Sequence, residues 1–236
     1  MRKVLAVIGA AVLGAGCAGM PPELAGVLGS AGAPAPLAEH EIAQGLKEAL
    51  AVGTERAVGR IGVRDGFWLN SAVNIPLPES LRKVEKTLRT FGQGARVDEF
   101  HLSLNRAAEA AVPEAAAIFG DAIRAMTLAD ARQILNGPSN AATDYFRGKT
   151  QGALTQRFKP TVSKATASVG ATRKYKELSA KVTKVMPGYE LQDIDGYVTD
   201  RALAGLFRTL ADEELKIRQD PAARTTELMK RVFGSR

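Results

Sequence analysis

Two polar sets in this chain have residue types and spacing that could do chemistry. Asn105 and Glu109 lie four apart, so a helix brings them to one face, with Arg106 adjacent and alanines around them. A carboxamide, a carboxylate and a guanidinium grouped this way can act on a substrate or close into a buried polar network, and the network is the commoner use. Thr143, Asp144, Tyr145, Arg147 and Lys149 form the second set. Tyr145 and Lys149 are one helical turn apart and could face an anionic ligand, with a helix N-terminus adding N–H donors.

Little else in the chain suggests catalysis. A nucleophile needs a general base within hydrogen-bond reach. Cys17 is the sole cysteine, and His40 and His101 are the two histidines. His40 falls at a helix start in polar company, and His101 sits between Phe100 and Leu102 on a helix flank. One cysteine allows no intramolecular disulfide. No His or carboxylate spacing marks a metal, and no P-loop or Gly-x-Gly-x-x-Gly marks a nucleotide. The residues therefore point to no catalytic group, no metal and no cofactor. An enzyme with an unfamiliar site around Asn105, Glu109 and Asp144 is the least favoured of three readings.

Charge gives a stronger signal. The chain carries a formal +7. Between Arg147 and Lys184 stand Arg147, Lys149, Arg157, Lys159, Lys164, Arg173, Lys174, Lys176, Lys181 and Lys184, against the single acid Glu177. That stretch alone is +9, so the remainder sums to −2. A one-sided field of this kind attracts anionic partners, although a solvated face that keeps the protein soluble accounts for it equally well.

The elements that must position these groups read as helices. Ile42, Leu46, Ala49, Leu50, Gly53, Ala57 and Ile61 fall at steps of three and four from about Ala38. An irregular stretch from Gly62 to Asn74 holds Trp68 as a core plug, and Ile75-Pro76-Leu77-Pro78 is extended. Pro78 opens a helix that turns Leu81, Val84, Leu88 and Phe91 inward and ends at Gly92. The next buries Val97, Phe100, Leu104, Ala107, Ala108 and Ala111. Pro113 starts another, carrying Ile118, Phe119, Ala122 and Met126.

A pivot follows from Thr127 to Lys159. Thr127 and Asp130 form a capping-box pattern. Asn136-Gly137 ends that helix with positive φ, Pro138 blocks continuation, and Ser139 or Asn140 caps the next. Pro160 kinks or breaks that next helix. Tyr175, Leu178, Val182 and Val185 mark a further one, closed by Pro187-Gly188. The last long helix runs from about Asp195 to Arg218, and Asp220-Pro221 starts a terminal one. No stretch alternates with period two. The fold class is all-α, a bundle of about eight to ten short and medium helices.

The amino terminus reads as an address. Arg2-Lys3 precedes the apolar run Val4 to Leu13, a signal-peptide pattern too short to span a bilayer. Gly14-Ala15-Gly16-Cys17 is similar to a bacterial lipobox, in which the Cys is acylated, except that Gly14 replaces the usual Leu. Ordinary signal-peptidase cleavage and a buried structural Cys are the alternatives. Ala18 after the Cys, by resemblance to lipoprotein sorting, favours the outer membrane. The expected organisation is a lipoprotein signal peptide at 1–16, a lipidated Cys17 and flexible Gly/Ala/Pro-rich linker at 17–37, and one helical domain at 38–236.

The chain also resembles a known family. The residues that carry the likeness are Gly45 to Leu50, Ile75 to Pro78, Asn105 to Ala111, Ile134 to Pro138, Tyr197 to Leu203 and Asp220 to Ala223. They are similar to the bacterial exported family known only as a domain of unknown function, number 4197, over nearly all of the chain after the linker. The resemblance implies an exported helical protein and supplies no activity. Family members commonly carry an ordinary signal peptide, so the lipobox-like Cys17 belongs to this chain's own residues.

The expectation is a non-enzymatic, lipid-anchored module on the periplasmic side of a bacterial membrane. Its partners would be that membrane, through the anchor, and an anionic lipid or an envelope protein. Nucleic acid is disfavoured by export. A carrier of an apolar ligand or lipid between helices is the second reading.

Overall fold

The structure is a computed structural model that describes residues 37–185 and 191–234, without the side chains of residues 171, 178, 179 and 181–185. Cys17, the signal and linker residues before Leu37, and the Pro187-Gly188 stop lie outside the described residues.

Nine α-helices stand among the described residues, and no strand. They are α1 (Glu39–Ile61), α2 (Arg82–Thr90), α3 (Gly94–Ala111), α4 (Ala115–Ala125), α5 (Leu128–Asn136), α6 (Ala141–Ser168), α7 (Gly170–Val185), α8 (Ile194–Gln219) and α9 (Glu227–Gly234). Short 3₁₀ turns precede α2, α4 and α9 at Glu79–Leu81, Val112–Glu114 and Pro221–Ala223. Leu37–Arg236 make one compact unit, with a core drawn from its own residues.

The two longest helices form the axis. α6 lies along α8, and α8 also meets α1 and α3. α4 covers α1 and α6, while α9 packs on α1. Phe119 of α4, Phe146 of α6 and Phe207 of α8 meet at the centre, with ring centroids 5.0 and 6.3 Å from Phe119. All three are almost fully buried. Each contributes roughly 1.5–3 kcal/mol by leaving water, which fixes the three helices on one another.

The bundle has two ends with different chemistry. At one end lie the starts of α1 and α6, the end of α8, and α5 and α9; Arg132 of α5 pairs with Glu39, and Arg218 of α8 donates to the Ile134 carbonyl of α5. At the other end lie the last turns of α6, α7, and the starts of α3 and α8. Phe100 of α3 meets Tyr175 of α7 at 5.6 Å, and Lys176 of α7 reaches Asp195 of α8 at 2.7 Å.

Four local expectations are corrected. Pro160 does not break its helix: α6 runs through it to Ser168, because Phe158 and Val162 on either side are both fully buried and hold the turn. Gly137 is extended (φ −82°, ψ 179°) and not left-handed, as the clash with a following proline demands. A Cβ there would stand 2.7 Å from the Ala141 Cβ, so the glycine serves a close approach. Phe67, and not Trp68, is the plug, packed on Gly205 of α8 where a Cβ would lie 2.8 Å from the Phe67 ring. Finally, α2 buries none of its residues: Val84 is 53%, Leu88 37% and Phe91 75% exposed. No helix crosses over that face, so the amphipathic pattern has no apolar partner within the described residues.

Candidate functional site

The Asn105–Glu109 stripe becomes a fastening device. The chain from Gly62 to Pro78 makes few regular backbone bonds, so its N–H and C=O groups need other partners. α3 supplies them. Glu109 accepts from the Phe67 and Trp68 N–H groups at 3.0 and 3.1 Å. Asn105 accepts from the Ile75 N–H at 2.8 Å and donates to the Ile75 carbonyl at 3.0 Å, doing for Ile75 what a neighbouring strand would do. His101 holds the same carbonyl at 2.8 Å and stacks edge-on against Trp68.

Arg106 closes the network. It pairs with Glu109 and with Asp65, each at 2.6 Å. Among the described residues Asp65 is the non-glycine residue at positive φ (68°), a conformation that Asp adopts more readily than most. Burial works against the Arg106 charge, but the hydrogen bonds to Glu109 and Asp65 outweigh it and raise its pKa. No buried side-chain N or O among the described residues lacks a partner. The Asn105 carboxamide, the Arg106 guanidinium and the Glu109 carboxylate are thus each engaged inside the fold. Asp144, the third residue of the enzyme reading, accepts from Asn140 and shares no hydrogen bond with them.

The start of α6 is also already occupied. Neither Ser139 nor Asn140 caps it. Glu214 of α8 accepts from the Ala142 N–H, the Thr143 N–H and the Thr143 hydroxyl at 2.8–3.0 Å, and Arg218 neutralises it. The N–H donors expected for an anionic ligand beside Tyr145 are therefore taken by an internal carboxylate. Sequence reading missed Glu214. Its signal was its place in the inward row Leu210, Glu214, Ile217, where a charge must find a buried partner.

The basic residues divide into engaged and free. The Arg147 guanidinium lies 4.7 Å from the Phe207 ring centroid, and the Lys149 ammonium 5.7 Å from that of Tyr145. Arg157 pairs with Glu114 at 2.7 Å, and Lys159 approaches Asp193 at 4.0 Å. Lys176 bonds Asp195 at 2.7 Å and also reaches the Ser163 and Thr166 hydroxyls, pinning α7 to α6 and α8. Burial would raise the Asp195 carboxyl, but hydrogen bonds from Lys176, Thr166 and Ser163 hold it below its ordinary value. Lys176 is thus a structural ion-pair partner and leaves the binding set.

Lys164, Arg173 and Lys174 remain. All three are exposed and make no ion pair among the described residues. They share the α6–α7 hairpin, whose two arms meet where Lys176 reaches Ser163. The side chains of Lys181 and Lys184 lie outside the described residues.

Tyr145 lines a different feature, an open groove over the pivot with Arg132, Asn136, Pro138 and Asp144. Its hydroxyl is kept protonated by burial and then by the Asp130 charge. The groove carries both signs of charge and is no match for a simple anion. Between α1, α6, α8 and α9 a small, partly open cavity of about 20 Å³ is lined by Leu46, Phe146, Leu210 and Phe233. That is room for about one water and not for an acyl chain, so this cavity gives the carrier reading no support. Among the described residues no group of three His, Cys, Asp or Glu could hold a metal ion, and no helix is long and apolar enough to cross a membrane.

Comparison with known proteins gives one match. The model of a family described as "Protein of unknown function (DUF4197)" matches residues 36–234. No curated protein and no solved structure matches the chain.

Proposed function

The chain belongs to the DUF4197 family of proteins of unknown function, and from that premise we propose that it is a non-enzymatic binding module of the bacterial envelope whose basic corner meets an anionic partner. The carrying observation is the contrast among its cations. Within the basic stretch Arg157, Lys159 and Lys176 pair with carboxylates, whereas Lys164, Arg173 and Lys174, on the exposed α6–α7 hairpin, make no ion pair among the described residues. Each such residue near an anionic lipid surface contributes about 1 kcal/mol, and the attraction falls off within one Debye length.

The amino terminus supports the setting. A signal-type leader and the lipobox-like Cys17 would deliver and tether the domain on the periplasmic side of a membrane, with the acyl chains on the Cys as anchor. In that compartment the available polyanions are lipid headgroups, lipopolysaccharide phosphates and acidic envelope proteins, and headgroups are the simplest to offer.

The test uses residues 37–236, the compact unit with its own core. It should cosediment with vesicles containing phosphatidylglycerol and be released by salt. Lys164→Gln, Arg173→Gln and Lys174→Gln together should weaken that binding at least 10-fold, in keeping with ~1 kcal/mol for each charge. Equal binding to neutral vesicles, or no effect of the triple variant, overturns the reading.

A further inference from the structure

A nine-residue helix is marginal in water by itself and is normally held by burying one face. α2 buries none. Its backbone position is set instead by the 3₁₀ turn before it, by Arg89, which bonds Glu85 and Asp98 at 3.0 and 2.7 Å, and by Gly92 at φ +72° after it. Yet its pattern is that of a helix with an apolar partner. Val84, Leu88 and Phe91 fall at i, i+4 and i+7 and form one outward face. Nothing in the fold requires those three side chains to be apolar, since polar residues at exposed positions would leave the core unchanged.

The other faces of α2 suggest what covers it. Arg82, Lys83, Lys86 and Arg89 stand against one acid, Glu85, which is bonded to Arg89. Arg82 leans on Glu79, and Lys83 and Lys86 make no ion pair among the described residues. Lys83 lies at one border of the apolar face with Lys86 one turn further on, and neither is held by an internal carboxylate among the described residues, so both long side chains can reach outward to headgroup phosphates. An apolar stripe on a helix of net positive charge complements an anionic bilayer surface.

Location agrees with this. α2 leads through Gly92 into the start of α3, whose Phe100 touches Tyr175 of α7. The exposed apolar face and the Lys164/Arg173/Lys174 hairpin therefore belong to the same end of the bundle.

We infer that α2 is a membrane-docking helix, which lays Val84, Leu88 and Phe91 into the headgroup layer of an anionic bilayer while Lys83 and Lys86 meet its phosphates. This goes beyond the basic corner: charge on the hairpin attracts at a distance, and α2 adds an apolar contact that salt does not screen.

The experiment is cosedimentation of residues 37–236 with vesicles of phosphatidylglycerol and phosphatidylcholine, at low salt and at high salt. Leu88→Ser with Phe91→Ser should lower binding about 10-fold at both, and should leave the thermal unfolding midpoint in place because neither side chain is buried. The parent should keep measurable binding at high salt. Binding by the double variant equal to the parent's overturns the proposal. So does sedimentation showing that the parent is a dimer which the double variant converts to monomer, since a second copy would then be the occupant. The hairpin triple variant separates the two readings: if it alone loses binding, the corner stands and α2 falls; if the serine pair alone loses it, the reverse holds.

Discussion

The polar stripe of α3 and the basic hairpin of α6 and α7 both looked chemically loaded, and they end in opposite conditions. In the stripe Asn105, Arg106 and Glu109 each bond a group of the 62–78 segment, at distances of 2.6 to 3.1 Å. In the hairpin Lys176 is consumed by Asp195, and Lys164, Arg173 and Lys174 point to solvent. The difference teaches where to look for function. A buried polar group must be matched inside the fold, because an unmatched one is costly. An exposed cation carries no such obligation, so its charge is available to a partner.

Glu109→Ala is the harshest way to break that comparison. It leaves Arg106 with Asp65 alone and the Phe67 and Trp68 N–H groups without an acceptor, so chemical denaturation should show a loss of about 2–3 kcal/mol. Vesicle binding of the folded fraction should not change. A loss below ~1 kcal/mol would mean that the stripe is not the fastener of the 62–78 segment.

The Lys176–Asp195 pair lies between the two regimes, and pH sharpens its place. The folded carboxyl sits below its unfolded value, near 3.9 for an ordinary Asp. Its stabilisation is therefore present above that value and lost as pH falls through the lower folded value. Lys176→Met should remove about 1–2 kcal/mol at neutral pH and flatten the acid limb of the stability curve. An acid limb identical to the parent's would show that Asp195 is held by the Thr166 and Ser163 hydroxyls alone.

At the small end, the triple glutamine variant of the hairpin should change stability by less than about 0.5 kcal/mol while losing anionic binding. A larger drop would mark Lys164, Arg173 or Lys174 as a structural group after all.

Much of the scaffold was legible from side-chain pattern. The inward row Val97, Phe100, Leu104, Ala107, Ala108 and Ala111 is buried as its spacing required. Thr127 and Asp130 exchange the two capping bonds at 3.1 and 2.9 Å, since that motif is local. Pro160 misled because its cost is local while Phe158 and Val162 hold the helix from outside. The α2 face misled for the reverse reason: spacing says that a face is apolar and says nothing of whether another helix arrives to cover it. Glu214 was invisible as a cap because it lies 71 residues from Thr143, whose N–H it satisfies.

Periodicity, capping residues and charge composition alone determined that this chain is helical, where many of its helices begin, and that its positive charge is concentrated in about one sixth of its length. Those are properties of neighbours within a turn or two, and short-range sterics and hydrogen bonding fix them. Only the tertiary structure decided which charges are consumed and which stay free, because a lysine's partner is set by the helix that packs beside it.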